Sequence, residues 1–276
     1  MRTWFVRAIL IFSICLCHVA GISADESWTS ISRGLDLGIF KARRFTPIGD
    51  STLTILRIDP GYWKLILLSR SKTGEPGNLN ARQWSEKYHL VAATNAGMFA
   101  TDYSTHVGFM QCDGHTNSSW INHYQSVAAF FPLLEGLPTF RIFDLDMDDM
   151  PSIRKRYGCV VQNLRLIKRP GENRWKPQGK IWSEAALGED RSGRILFIFC
   201  RSPYSMYDLN NILLALPIEI VCAQHLEGGQ EAQLFVNAGN MQIEEAGSYG
   251  TDFSRGDGNI RAWPVPNVIG VLPKDR

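Results

Sequence analysis

Apolar and polar residues alternate in many short stretches of the chain, and this pattern predicts a protein built mainly of strands. Most of these stretches are four to eight residues long and end at glycine, proline or small polar residues, as strands do. The predicted strands are 37–44, 52–58, 64–69, 90–94, 126–131, 139–143, 159–167, 184–189, 194–200, 218–223, 232–236 and 268–272.

Helical patterns are few and short. Asn80 can cap a helix in which Ala81, Trp84 and Tyr88 fall on one face. A second helix begins at a capping box, 205–208, and ends before a proline. The expected fold is α/β (α+β): a single domain with a central mixed sheet, a few short flanking helices and two strand–helix–strand halves. A long loop is expected at 100–125.

The N-terminus has the features of a secretory signal. Arg2 and Arg7 supply positive charge, 8–16 is apolar, and small residues lead to a cleavage position after Ala24. We therefore expect a signal peptide over 1–24, a folded domain over 25–276 and a secreted or periplasmic protein. An uncleaved N-terminal anchor is the alternative interpretation. No later segment is long and apolar enough to predict an integral membrane span.

Charge and cysteine content narrow the function classes. The 276 residues include 29 basic and 27 acidic ones, for a net charge of +2, and show no basic stripe, so a nucleic-acid partner is not expected. Cys112, Cys159, Cys200 and Cys222 remain after signal removal, and an even number permits disulfides without fixing their pairing. No ligand spacing for a metal, phosphate loop or dinucleotide fingerprint is present, so neither a metal nor a cofactor is expected.

The strongest local candidate for chemistry is Glu227-Gly228-Gly229, which follows an apolar strand. A strand end would hold the carboxylate rigidly, and the two glycines would let a ligand approach the backbone, whose N–H groups can face an anion. A tight turn with a solvated glutamate is the alternative interpretation of the same pattern.

Other strand ends also carry polar side chains. Asn95, with Gly97 and Phe99 after it, could contact a sugar, and Gln162-Asn163 interrupts an apolar strand. Buried amides need partners, which are either backbone groups or a ligand. Each of these residues could instead serve a turn or the core.

Arg201 and Ser202 leave a third strand just before the capped helix. A guanidinium beside a helix N-terminus suits a phosphate or a carboxylate. A surface arginine is the alternative.

Several of these segments, taken in order, resemble the phosphodiester glycosidase family. The segments are Asn-Ala-Gly-Met-Phe at 95–99, Val-Gln-Asn-Leu-Arg-Leu-Ile at 161–167, Ala-Leu-Gly at 186–188 and Leu-Glu-Gly-Gly at 226–229, with Trp182-Ser183 and Arg201-Ser202-Pro203-Tyr204 as in bacterial exported members. The resemblance implies a hydrolase acting on a carbohydrate or sugar-phosphate substrate. We expect Glu227, Asn95, Arg201 and Glu184 as catalytic residues and Gly97, Phe99, Gln162, Asn163, Ser183, Ser202, Gly228 and Gly229 as substrate-binding residues.

Two departures from the family pattern bear on the substrate. Better-studied members have Asp before the Gly-Gly pair, where this chain has Glu227. They also tend to carry an Arg just before the Ala-x-Gly strand, and the segment 182–188 of this chain has none. We expect Glu227 to act as base or nucleophile, with Arg201 and the glycine amides holding the anion. The alternative is a glycan-binding, peptidoglycan-binding or envelope interaction module without catalysis, in which Trp120, Tyr124, Trp175 and Trp182 could form an aromatic platform.

Overall fold

A computed structural model describes residues 28–46, 48–250 and 258–274. The strands, in chain order, are β1 (Trp28–Ser32), β2 (Leu35–Lys41), β3 (Thr52–Ile58), β4 (Trp63–Ser69), β5 (Ala92–Asn95), β6 (Met110–Cys112), β7 (His115–Ser118), β8 (Ser126–Pro132), β9 (Phe140–Asp144), β10 (Tyr157–Asn163), β11 (Arg165–Lys168), β12 (Glu172–Asn173), β13 (Trp182–Asp190), β14 (Ile195–Tyr204), β15 (Ile220–Gly228), β16 (Gln233–Ala238), β17 (Met241–Ala246) and β18 (Asn267–Pro273). The helices are α1 (Arg70–Thr73), α2 (Ala81–Tyr88), α3 (Met150–Arg156) and α4 (Met206–Ala215), with a short 3-10 helix at Gly229–Glu231.

The strands form three sheets. The largest has the order β1-β2-β3-β14-β13-β15-β11-β12, the second β7-β6-β10-β8-β9 and the third β17-β16-β5-β18-β4. Every pair of named strands within the described residues is antiparallel. The predicted class, a strand-rich single domain with few short helices, is confirmed. The strands form three antiparallel sheets rather than the expected central mixed sheet. Tight hairpins such as β13–β14 make neighbouring strands antiparallel.

One apolar core joins the inner faces of all three sheets. Leu56 and Phe197 enter it from the first sheet, Val161 from the second and Val236 from the third. Each outer face is covered by one helix: α4 packs on the first sheet, α3 on the second and α2 on the third. The first sheet is therefore covered on both faces, by the shared core on one side and by α4 on the other. This explains the largely continuous burial of β13 to β15.

The predicted helix starts are confirmed at α2 and α4. Asn80 and Gln83 form a reciprocal capping box at α2, and the Ser205 hydroxyl accepts from the Asp208 N–H at α4. The sequence pattern missed α3, whose N-cap is Asp149, because the preceding acidic run was interpreted as a solvated loop. The predicted 100–125 loop contains the short hairpin β6–β7, which lacks clear alternation.

A disulfide joins Cys112 and Cys159, which face each other across β6 and β10. Cys200 and Cys222 are buried thiols. The signal-peptide prediction falls on residues outside the described ranges. Within those ranges no helix has the length and apolar character needed to cross a bilayer.

Candidate active site

A cleft of about 700 Å³ opens where β15 ends and β13 begins. Its lining combines aromatic rings with acidic and imidazole side chains, as the binding sites of small molecules do. The lining residues are Met98, Tyr103, Tyr124, Leu164, Trp182, Met206, His225, Glu227, Gly228, Gly229, Gln230, Glu231, Gly250 and Trp263. A smaller neighbouring pocket of about 350 Å³ shares Glu227 and Glu231 with the cleft and adds Phe99.

Glu227 stands beside a bulge in β15. It lies opposite Ala185 of β13, and His225 lies opposite Ala186, so two residues of β15 correspond to one step of β13. A bulge re-aims side chains relative to a regular strand, in which residues two apart share one face. Glu227 Oε1 accepts a hydrogen bond from the Gly228 N–H at 3.0 Å.

Burial raises the pKa of Glu227 to about 7. The charge of His225 and the bond from Gly228 oppose this shift, while the carboxylates of Glu231 and Glu184 add to it. A carboxyl group with this pKa exchanges protons near neutral pH, which is the property that acid–base catalysis requires.

A buried hydrogen-bonded chain stands beside Glu227. His225 Nδ1 lies 2.6 Å from Glu184 Oε1, and the Trp182 indole N–H donates to Glu184 Oε2 at 2.8 Å. Glu184 is 1% exposed and His225 is 3% exposed. Both carboxylate oxygens of Glu184 are thus engaged, and His225 rather than Glu184 lines the cleft. The structure therefore places the predicted catalytic residue Glu184 behind His225.

Glu231 is a second carboxylate of the cleft, and the sequence prediction missed it. It ends the 3-10 helix that follows the two glycines, and burial raises its pKa. The available signal was its position four residues after Glu227 across a Gly-Gly turn. Acidic residues on both sides of such a turn can reach one ligand.

Gly228 is required by close packing, and Gly229 by its backbone conformation. A Cβ on Gly228 would lie 2.7 Å from Trp182 Cδ1, and Gly229 has a φ of +69°. The Gly228 N–H is already bonded to Glu227, so it does not provide the anion contact expected from sequence.

The side chains of Asn95 and Gln162 do not line the cleft but hydrogen-bond to backbone segments that border it. Asn95 donates to the Glu231 carbonyl at 2.9 Å and accepts from the Gln233 N–H at 2.9 Å. Gln162 Nε2 donates to the carbonyls of Asn122 and Tyr124 at 3.0 and 2.7 Å. These side chains fix the backbone that carries Glu231 and Tyr124.

Asn163 and Gly97 belong to a second buried cluster around His106. Asn163 Nδ2 donates to the Ala96 carbonyl, and its Oδ1 lies 3.2 Å from His106 Nε2. The Gly108 N–H donates to His106 Nδ1, so the ring proton is on Nε2. Gly97 has a φ of +154°, and a Cβ there would lie 2.3 Å from His106 Nε2. This cluster anchors the segment that carries Met98 and Tyr103 into the cleft.

Arg201, Ser183 and Ser202 also support the cleft from outside. The Arg201 guanidinium donates to the carbonyls of Ala246 and Asn259 at 2.5 and 2.6 Å. The Ser183 hydroxyl donates to the Arg201 carbonyl and accepts from the N–H groups of Ser248 and Tyr249, just before Gly250. The Ser202 hydroxyl accepts from the Ser51 N–H at 2.7 Å.

The predicted aromatic platform is partly assembled. Trp182 and Tyr124 line the cleft, together with Tyr103 and Trp263, which the prediction did not include. Trp175 and Trp120 do not line the cleft. The Trp175 indole N–H donates to the Arg165 carbonyl, and Trp120 is 68% exposed. Over the residues that the structure describes, no group of three or more His, Cys, Asp or Glu side chains is arranged to hold a metal ion.

Comparison with known proteins places this geometry in a family. The model of the phosphodiester glycosidase family matches residues 88–272, which contain every lining residue of the cleft. The chain belongs to the phosphodiester glycosidase family. The function that this supports is of the glycosidase type, with a carbohydrate as the class of substrate. No curated protein matches the chain.

Two solved structures share the fold of this phosphodiester glycosidase. One is the zebrafish N-acetylglucosamine-1-phosphodiester alpha-N-acetylglucosaminidase catalytic domain, auto-inhibited by its pro-peptide: the TM-score is 0.60 at 15% identity, over 88% of this chain and 85% of that chain. The other is a hypothetical protein from Synechocystis, with a TM-score of 0.58 at 13% identity over 88% of this chain and 63% of that chain.

The structure shows which residues stand at the position of the missing arginine in this phosphodiester glycosidase. Where the family pattern carries an arginine before the Ala-x-Gly strand, this chain has Ser183 and Glu184, and Glu184 is bonded to His225. Arg201, expected to hold the anion, is bonded to backbone carbonyls and does not line the cleft. Of Glu227, Asn95 and Arg201, only Glu227 lines the cleft.

Proposed function

We propose that this protein is a hydrolase that cleaves a sugar-1-phosphodiester, or a related glycosidic bond, in the cleft of Glu227. The observation that carries the proposal is a carboxyl group with a pKa of about 7 beside a second carboxylate in an aromatic-lined cleft. Membership of the phosphodiester glycosidase family supports the class of bond. Aromatic rings such as those of Trp182 and Tyr124 stack on sugar rings in such clefts.

In this proposed reaction Glu227 is the general base. The bond between the anomeric carbon and the phosphate oxygen breaks, and its electron pair leaves with the phosphate. The oxygen of a water molecule bonds to the anomeric carbon while Glu227 takes one proton from that water. Glu231 stabilises the positive charge that develops on the sugar ring. The phosphate is a good leaving group, so proton donation to it matters less than removal of the proton from water.

Substitution of Glu227 tests the proposal. Glu227→Gln keeps the size and the hydrogen bond from Gly228, but the amide cannot accept a proton from water. We expect kcat on a sugar-1-phosphodiester to fall roughly 100-fold or more, as for loss of a general base. Glu135→Gln, an exposed position in the β8–β9 turn, is the matched control and should retain wild-type kcat. Near-normal turnover by Glu227→Gln would remove Glu227 from the mechanism.

The pH profile distinguishes a base from an acid. Because the base works in its ionised form, kcat of the wild type should rise as the pH increases through about 7, the pKa of Glu227. A general acid at the same position gives the opposite slope, with kcat falling over that range. A falling profile would therefore reassign Glu227 as the acid that protonates an alcohol leaving group.

A non-catalytic glycan- or peptidoglycan-binding module, or an envelope interaction module, is the second candidate. The cleft aromatics Trp182, Tyr124, Tyr103 and Trp263 favour glycan binding, since ring stacking needs no ionised carboxylate. In that case glycan affinity, measured by titration calorimetry, should be the same for wild type and Glu227→Gln, and wild type should hydrolyse no substrate.

We also propose that the protein acts outside the cytoplasm, as a secreted or periplasmic protein. The signal-like N-terminus and the Cys112–Cys159 disulfide support this, because such bridges persist in oxidising compartments. Fractionation of expressing cells, with N-terminal sequencing of the exported form, checks both the location and cleavage after Ala24. An unprocessed cytoplasmic protein would contradict the proposal.

A further inference from the structure

Two of the groups that sequence analysis assigned to an anion, Arg201 and the Gly228 N–H, are engaged elsewhere. Arg201 donates to two backbone carbonyls outside the cleft, and the Gly228 N–H donates to Glu227. Among the described residues that line the cleft and its neighbouring pocket, His225 is the one side chain that can carry a positive charge. A phosphodiester substrate needs a cationic or N–H donor to stabilise its phosphate.

The His225 ring is fixed in one orientation. Glu184 has only acceptor oxygens when ionised, so the 2.6 Å contact places a proton on His225 Nδ1. The second Glu184 oxygen is held by Trp182, whose ring lies 6.3 Å from the imidazole, edge to face. With Nδ1 bonded to Glu184, Nε2 is the ring nitrogen that remains for a ligand in the cleft that His225 lines, and in the charged ring it is a donor.

The charges around His225 favour its protonated form. Glu184 faces it from β13, and Glu227 follows it on β15. Burial alone disfavours the charged ring, but the charge and hydrogen bond of Glu184 and the charge of Glu227 outweigh it, so the pKa of His225 lies above its usual value. The imidazolium is thus compatible with neutral pH.

We propose that His225, oriented by Glu184 and Trp182, binds the phosphate of the substrate and takes the place of the arginine missing from this chain. The inference rests on the proposed function and names the residue that makes the substrate class possible. Negative charge on the phosphate increases as the bond to the anomeric carbon breaks. A charged donor at His225 Nε2 therefore binds the transition state more strongly than the substrate. His225 is a substrate-contacting residue, and Glu184 is a positioning residue.

Two substrates with the same sugar separate this role from a general one. One is a sugar 1-(methyl phosphate), and the other is the uncharged nitrophenyl glycoside of that sugar. His225→Gln should lower kcat/KM for the phosphodiester roughly 10- to 100-fold, the loss expected for one charge-assisted hydrogen bond. The same variant should change kcat/KM for the nitrophenyl glycoside less than about threefold. His115→Gln, outside the cleft, is the control and should change neither value.

Equal losses on both substrates, or none, would overturn the assignment of His225 while leaving glycoside hydrolysis established. Failure of the wild type to hydrolyse either substrate would instead refute the proposed function. The two failures are therefore distinguishable in one set of assays.

Sulfate inhibition provides a test that does not depend on a foldable His225 variant. Sulfate keeps the same charge across neutral pH, so any change in its inhibition constant reports on the protein. With wild type, the inhibition constant for sulfate should increase as the pH rises through the pKa of His225. In Glu184→Gln, which removes the stabilising charge but keeps the size, that increase should begin at lower pH. A pH-independent inhibition constant in wild type, or the same profile in both proteins, would refute the role of the Glu184–His225 pair.

Discussion

Acidification should destabilise the protein through His106, which is 1% exposed between Gly108 and Asn163. Burial lowers the pKa of His106 to about 4, although the carbonyl of Gly108, 3.0 Å from Nδ1, and Oδ1 of Asn163 partly oppose the shift because they favour the protonated ring. In the unfolded chain the same ring has its ordinary pKa of 6.5. The unfolded state therefore binds a proton first when the pH falls.

The size of the effect follows from the difference between the two pKa values. The stabilisation from neutral His106 is complete above pH 6.5 and is lost as the pH falls toward the folded-state pKa of about 4. One pH unit of difference corresponds to about 1.4 kcal/mol. Acidification from about pH 7 to about pH 4 should thus remove about 3 kcal/mol of the free energy of unfolding through this one residue.

Urea denaturation at a series of pH values measures the effect. His106→Gln has no titrating ring, and its amide N–H can still donate to Asn163. The variant should lose about 3 kcal/mol less than wild type over the same pH range, whatever its stability at neutral pH. His123→Gln, at an exposed position, is the control and should follow the wild-type curve. Parallel curves for wild type and His106→Gln would show that His106 is not desolvated in the fold.

Two further predictions concern stability at neutral pH. Gly97→Ala should cost about 2–4 kcal/mol in urea unfolding, because its Cβ would overlap His106 Nε2 at a backbone angle that alanine avoids, whereas Gly77→Ala, which points into open space, should change stability by less than about 0.5 kcal/mol. Replacing Cys112 and Cys159 by serine should cost about 4 kcal/mol, since the bridge spans 47 residues, and a reductant should lower the melting temperature of wild type but not of the double variant.

The strand-rich class and two helix starts could be predicted because they depend on local patterns. Alternation marks strands such as β3, and capping residues mark α2 and α4. The division into three sheets depends on which hairpins pack together, and that information is not local. The helix α3 was missed because Asp149 caps it within an acidic run that resembles a loop.

The candidate site could be predicted only in part, for a physical reason. A polar side chain at the end of a buried strand needs a partner, and the sequence does not show whether that partner is a ligand or another backbone segment. Glu227 lines the cleft, whereas Asn95, Gln162 and Arg201 bond to the backbone of segments around it. His225 gains its significance from Glu184, which lies 41 residues away in sequence and is adjacent only across the sheet.

The side chains that line the cleft are different from the side chains that hold the backbone around it. This separation makes the protein suitable for redesign. Asn95, Gln162 and Arg201 donate hydrogen bonds to backbone carbonyls of the segments around the cleft and so set the path of these segments. A backbone carbonyl is present whatever side chain its residue carries. Substitutions of Met98, which lines the cleft, can therefore alter substrate preference while these backbone contacts are kept. Insertions or deletions in the same loops would break these hydrogen bonds and should be avoided.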